Sequence, residues 1–286
     1  MPTREDVGMY SEIWPDGRKP LMKLAGLAVQ SVLYGIFIAM AFAMLYLLCR
    51  RPQPRQSAHD RPVNSWLISG LAILTVTAIT HWIAIVVRAF EAFVFWRGGH
   101  MALAYYAGST RSGMVKFAFH GATSVIADIF VIARLYIIWN YRKSVVIAPL
   151  LFLLGFATSC IGCTYAYGVY DKSKPETLIA LHRWRLSFSV CTICTTVYCT
   201  TMIVWYIWRL RYQNPERTVN RTIKSVIVII IESAALYTSV VILSRITYEV
   251  GHISKHFFVD CTPPVAAITA VLVHARAVLL KVRQGG

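Results

Sequence analysis

The chain has 286 residues, of which 57% are hydrophobic and 15% charged, against roughly 25% charged in an average soluble protein. That balance excludes disorder, a collagen-like repeat and a disulfide-rich mini-protein, and it is too poor in charge for the surface of an ordinary soluble enzyme. The formal net charge is nevertheless +16, from 29 Lys+Arg against 13 Asp+Glu, so the few charges must occupy particular places.

In chain order, residues 1–22 read as a polar N-terminal tail and residues 23–283 as one membrane domain. The apolar residues fall in continuous runs of the length that crosses a bilayer as a helix, about 20 residues each. Seven such runs are predicted: 23–49, 65–87 with an extension toward 95, 114–139, 145–170, 186–208, 225–247, and a last one to about 280. The last is expected to begin after Thr262-Pro263-Pro264, because proline suits a first helical turn. The runs are continuous and not alternating, which argues against a strand barrel. The predicted fold class is therefore all-α, a polytopic membrane protein built as a seven-transmembrane-helix bundle. The tail holds no apolar core of the signal-peptide kind, so the first span is expected to act as its own insertion signal.

Basic residues beside span ends set orientation. One side carries Arg50, Arg51, Arg55, Arg61, Arg142, Lys143, Arg209, Arg211, Arg217, Arg221, Lys281 and Arg283. The other side carries Arg18, Lys19, Lys172, Lys174 and Arg183, so the basic count is nearly balanced, but it also carries most of the acids, among them Asp171, Glu176, Glu249 and Asp260. The expectation is N-terminus outside and C-terminus cytoplasmic, in the plasma membrane or the endoplasmic reticulum. Glycosylation of the sequon Asn220-Arg221-Thr222, on the predicted inner side, would invert it. The basic inner rim suits anionic lipid or, as a sharper reading, an acidic cytoplasmic protein partner. Nucleic acid is not an expected partner, because the charge lies on membrane-adjacent loops.

Seven cysteines are present, and all but Cys261 lie within the predicted runs. Cys160–Cys163 and Cys191–Cys194 have the C-x-x-C spacing of metal or redox sites. Small residues also let membrane helices approach closely, and that reading is preferred. No metal or other cofactor is expected. No lysine in the seventh run offers a retinal Schiff base, and no metalloprotease, nucleophile-elbow or P-loop motif is present.

The polar residues inside the runs are the candidate site. A charge at the bilayer centre costs roughly 2.5–3.5 kcal/mol on insertion scales unless partnered. Asp128 and Arg134 in the third run, Glu232 in the sixth and Arg276 in the seventh fall within side-chain reach in depth, which predicts a buried ion cluster. His81, His120 and His274 join it. His120, Ser124, Asp128 and Trp139 share one helical face, and Ser225, Glu232 and Ser239 share another. Such a cluster could lock one packing of a receptor, or Asp128 and Glu232 could serve as acid and base in an isomerase or cyclase acting on an isoprenoid or lipid. The first is favoured, with no catalytic residues.

Two stretches also carry a resemblance. The third-run Ala127-Asp128-Ile129-Phe130-Val131-Ile132-Ala133-Arg134-Leu135-Tyr136-Ile137-Ile138-Trp139, followed by Val145–Leu150, and the sixth-run Ile231-Glu232-Ser233-Ala234-Ala235-Leu236-Tyr237 resemble the paired signatures of a seven-span integral membrane protein family of mushroom-forming fungi. Ala235 stands where that pattern has glycine, and His274 precedes Arg276 where a more apolar residue is usual. The resemblance covers nearly the whole chain. It implies a receptor-like protein without an assigned ligand. The functional expectation is a receptor-like protein binding a small apolar ligand. An intramembrane enzyme and a non-catalytic scaffold are the alternatives.

Overall fold

The computed structural model describes residues 18–49, 60–99, 102–107, 110–169, 175–213, 221–250 and 255–284. Within these, the side chains of 18–22, 60–65, 210–213, 221–227, 255–256 and 273–284, with a few isolated positions, lie outside the described set. Among the described residues all regular structure is helical. Helix α1 spans Arg18–Cys49, and α2 spans Asp60–Phe90 before a π turn at Glu91–Phe95 and a 3-10 turn at Arg97–Gly99. A short α3 follows at Ala102–Ala107, then α4 at Arg111–Ile138, a 3-10 turn at Lys143–Val145, and α5 at Ile147–Gly168. The chain ends with α6 (Pro175–Gln213), α7 (Arg221–Glu249) and α8 (Lys255–Gln284).

Among the described residues five stretches are long and apolar enough to cross a membrane: Lys23–Leu48, Ile68–Phe95, Arg111–Ile138, Ile147–Gly168 and Ile179–Arg209. They overlay the first five apolar runs of the sequence. Helix α8 adds a shorter apolar stretch, Phe257–Leu272. Large apolar side chains such as Val32, Phe42, Val76, Leu151, Leu154 and Ile161 point out of the molecule, a surface that water would penalise and lipid would not. In lipid the backbone must satisfy itself, which a helix does. The hydroxyls within these helices do likewise: Thr75 donates to the Leu71 carbonyl at 2.8 Å, Thr123 to Phe119 at 2.8 Å and Thr196 to Thr192 at 2.9 Å. That is how the second and third apolar runs carry polar residues without interruption.

Helix α4 packs against α2, α5, α6 and α8, and α8 closes the arrangement by packing on α1. The main core takes Tyr34, Phe37, Ala41, Met44 and Leu48 from α1, one residue every three or four, which is one helical face. Leu71, Leu74 and Ala78 of α2, Ala127 and Phe130 of α4, Tyr237 and Val241 of α7, and Ala266, Ala267 and Ala270 of α8 belong to it too. Close approach of α5 to its neighbours depends on glycine. A Cβ at Gly121 would sit 2.9 Å from the Cys160 sulfur, and one at Gly162 would sit 2.5 Å from the Trp184 ring. Cys160 and Cys191 are thus contact residues between helices, and all six described cysteines are free thiols.

The ends of α4 are set by local chemistry. Thr110 caps its start by accepting from the Gly113 amide at 3.2 Å. At its end Asn140 and Tyr141 adopt left-handed φ of 51° and 62°. The Tyr141 amide donates to the Tyr136 carbonyl and the Asn140 amide to Ile137, the bonding pattern of a Schellman cap. The Tyr136 and Tyr141 rings meet edge to face across it.

One boundary differs from expectation. The last helix does not begin at Thr262-Pro263-Pro264; it begins at Lys255 and carries both prolines inside it. The prolines lie in a buried stretch, 261–267, where surrounding helices hold the backbone despite the two missing amide donors. The Thr262 hydroxyl donates to the Phe258 carbonyl at 3.1 Å in the same turn.

Alternating helix direction puts the starts of α1, α4, α6 and α8 and the ends of α2, α5 and α7 at one end, here the first end. Of the basic residues expected to rim the second end, Arg142, Lys143 and Arg209 are exposed; the side chains of the others lie outside the described set, as does Asn220.

Candidate functional site

The polar residues of the interior separate into a core network, an isolated arginine cavity and a charged first end. The core network lies on the inward face of α4. Asp128 is 1% exposed, and its carboxylate accepts from the Thr192 hydroxyl of α6 at 3.1 Å. Thr192 has one proton and donates it there, so the Tyr237 hydroxyl of α7, 3.0 Å away, donates to Thr192. Tyr237, Thr192 and Asp128 therefore form a directed chain across α7, α6 and α4. One turn from Asp128, Ser124 is fully buried with its hydroxyl unpartnered. Further toward the first end, the Tyr34 hydroxyl meets His81 Nδ1 at 2.5 Å. The His81 ring packs edge-on against His120, with centroids 5.6 Å apart. His81 Nε2 has no partner.

Of the ion cluster expected among Asp128, Arg134, Glu232 and Arg276, the first three are not brought together, and the side chain of Arg276 lies outside the described residues. Glu232 is exposed, and so is Ser239. The inward face of α7 is Ser233, Tyr237, Val241 and Ser244, spaced by four, four and three, and Glu232 and Ser239 lie off that phase. Arg134 borders a separate cavity with Thr196, Ser233 and Tyr237, and no described carboxylate lines it. Trp139 donates its indole N–H to the Met202 carbonyl at 3.2 Å and packs on Tyr206, which ties α4 to α6. The side chains of His274 and Arg276, and that of Ser225, lie outside the described residues. Asp128 and Glu232, one buried and one exposed, do not share a site where they could act as an acid and base pair.

The charged first end was not anticipated as a site. Lys116 of α4 and Asp260 of α8 form an ion pair of 2.5 Å with little solvent access. Asp260 had been expected among the outer loop acids; the early start of α8 places it in the helix. Arg88 at the end of α2 is 4% exposed and donates to the Tyr167 hydroxyl at 2.8 Å. The connection after α2 folds over this end. Tyr105 of α3 donates to Glu91 at 2.5 Å, and the Tyr106 ring lies between the Lys23 ammonium at 5.0 Å and the Arg88 guanidinium at 5.2 Å. Burial pushes the Tyr106 phenol up to about 12, so it stays protonated.

Beside this lies a cleft of about 630 Å³, its open mouth included, between α4, α5, α6, α7 and α8. Its walls are Phe117, Cys160, Phe188 and Val241, and His120 reaches it from the core network. Arg185 and Arg245 stand on its lining with Tyr248. Arg245 is paired with Glu249. Arg185 instead lies over the rings of Phe117 at 5.0 Å and Tyr248 at 4.9 Å, and it has no carboxylate partner among the described residues. His182 Nε2 is 3.1 Å from both Arg245 and Glu249. It can accept from the first or donate to the second, not both at once.

The sequence held a signal for part of this. Lys116, His120, Ser124 and Asp128 follow one another at intervals of four, so the polar face of α4 continues one turn beyond the stripe first identified. His81 and Arg88 are seven apart on α2, again one face. Among the described residues no three His, Cys, Asp or Glu come together as a metal set. Comparison of the chain with protein-family models, curated proteins and solved structures finds no match in any of the three.

Proposed function

We propose that the chain is a seven-span, receptor-like membrane protein that takes a small amphiphile, apolar in body and anionic at one end, into the cleft below Arg185. The observation that carries this reading is the cleft itself: aromatic and aliphatic walls under a guanidinium that has ring faces but no described carboxylate. An anionic head would complete that guanidinium, and the apolar body would bury against Phe117, Phe188 and Val241. In this reading α1, α2, α4, α5, α6, α7 and α8 are the seven spans. The first end faces outward, and the basic second end meets anionic lipid and a cytoplasmic protein partner. The paired signatures around Asp128–Trp139 and Glu232–Tyr237 support membership of the fungal seven-span family they resemble.

The purified chain should bind a fluorescent long-chain fatty acid, and Arg185→Gln should weaken that binding about tenfold, the value of one lost charge-assisted hydrogen bond. The methyl ester of the same probe should bind no better to the native chain than the acid binds to the variant. Equal binding of acid and ester to the native chain would overturn the reading.

A further inference from the structure

On the far side of the Lys116–Asp260 pair is a second cavity, of about 390 Å³ with its opening included, bounded by α1, α2, α3, α4 and α8. The pair forms the wall between the two spaces: Phe117 and Val259 line the amphiphile cleft, and their chain neighbours Lys116 and Asp260 line this one. Lys23, Gln30, Arg88 and Tyr106 complete its polar lining. Among the described lining residues three cations therefore face one carboxylate, a formal surplus of two positive charges.

Arg88 shows that the lining is not self-sufficient. Its side chain is 4% exposed. One terminal nitrogen reaches the Tyr167 hydroxyl at 2.8 Å and the Tyr106 carbonyl at 3.5 Å. The rings of Tyr106 and Tyr167 lie against its guanidinium, yet its Nε has no hydrogen-bond partner. No described carboxylate pairs with it. A buried cation with an unused donor is costly unless something supplies the missing acceptor and countercharge. Asp260 pairs with Lys116.

We propose that this cavity binds a phosphoryl group. A phosphate monoester carries about −1.5 to −2 at neutral pH, which matches the surplus of two, whereas a carboxylate would leave half of it uncompensated. Its tetrahedral oxygens accept from several directions at once, and the donors available, Arg88 Nε, Lys23, Lys116 and the buried amide of Gln30, converge from three helices. The group comes either as free phosphate or as the phosphomonoester headgroup of a lipid such as phosphatidic acid. The site shares no polar lining residue with the amphiphile cleft, so the two assignments stand or fall separately.

The test uses the full chain. In neutral detergent, inorganic phosphate is titrated against sodium chloride of equal ionic strength and thermal unfolding is followed. In parallel, phosphatidylcholine nanodiscs are compared with and without phosphatidic acid. Saturable stabilisation by phosphate, or by phosphatidic acid alone, supports the site and tells the free ion from the headgroup. Arg88→Gln and Lys23→Gln should each weaken the response about tenfold, while Glu232→Gln, outside the cavity, should respond as the native chain does. Lys23 lies at the half-buried rim and carries the comparison should the Arg88 variant not fold. Absence of any response from the native chain, or an undiminished response in Lys23→Gln, overturns the proposal.

Discussion

At the scale of single residues, the interior carboxylate of Asp128 is held by one hydroxyl, and that hydroxyl is itself oriented by Tyr237. Removing the middle member should therefore cost more than removing the end. Thr192→Val leaves both Asp128 and Tyr237 without their bond and should destabilise by about 1–3 kcal/mol, and Tyr237→Phe by about 1 kcal/mol. In an Asp128→Asn background the Thr192→Val cost should shrink, since no carboxylate is left unsolvated. Thermal unfolding of the four variants in one detergent measures all three statements. Asp128 was legible in the sequence because a lone acid in an apolar run is rare and conspicuous. Glu232 was equally conspicuous and was misplaced, because the apolar pattern of α7 is nearly continuous and does not mark which side is inward. Ser233 and Tyr237 mark it only when taken with Val241 and Ser244. Lys116, in the first turn of its run, and Arg88, just past the end of its own, sit where a basic residue reads as a topological flank.

At the scale of elements, helix separation is set by missing side chains as much as by present ones. Gly162 receives the Trp184 ring, and a methyl group there would meet it at 2.5 Å. The added methyl would overlap the ring, so Gly162→Ala should displace it from the α5–α6 contact and cost about 1–3 kcal/mol. Gly35 of α1 faces open space. Gly35→Ala should be neutral or gain up to about 1 kcal/mol from helix propensity. Unfolding midpoints of the pair provide an internal control, since the chemical change is identical. Element positions were largely legible because an apolar run of this length has one structural solution in lipid. The start of α8 was not. Proline is tolerated at a first turn and also inside a helix that neighbours enclose, and only the packing shows that 261–267 is enclosed.

At the scale of the whole molecule, the charge surplus divides between the two ends in different ways. The second end displays basic residues such as Arg142 and Lys143 to solvent. At the first end Lys23, Arg88, Lys116, Arg185 and Arg245 are brought between helices, around Asp260 and under tyrosine rings. The sequence showed the surplus as a number. Its division into an exposed rim and an enclosed group depends on which span-end residues face inward, a property of helix phase and packing that composition does not contain.

The helices that cross are unequal in reach. The α5 stretch Ile147–Gly168 has 22 residues and the α6 stretch Ile179–Arg209 has 31, or about 33 Å against about 46 Å at the helical rise. A hydrocarbon layer of about 30 Å is matched by α5 standing nearly upright, and it forces α6 to lean or to protrude. These two helices are packed together along Gly155 and Gly162, so neither can adjust its tilt alone. Bilayer thickness is thereby coupled to the α5–α6 contact, beside which the cleft opens. Reconstituted into phosphatidylcholines of increasing acyl length, the chain should reach its highest unfolding temperature at an intermediate thickness and lose stability on both sides of it. A flat dependence would show that α5 and α6 tilt independently.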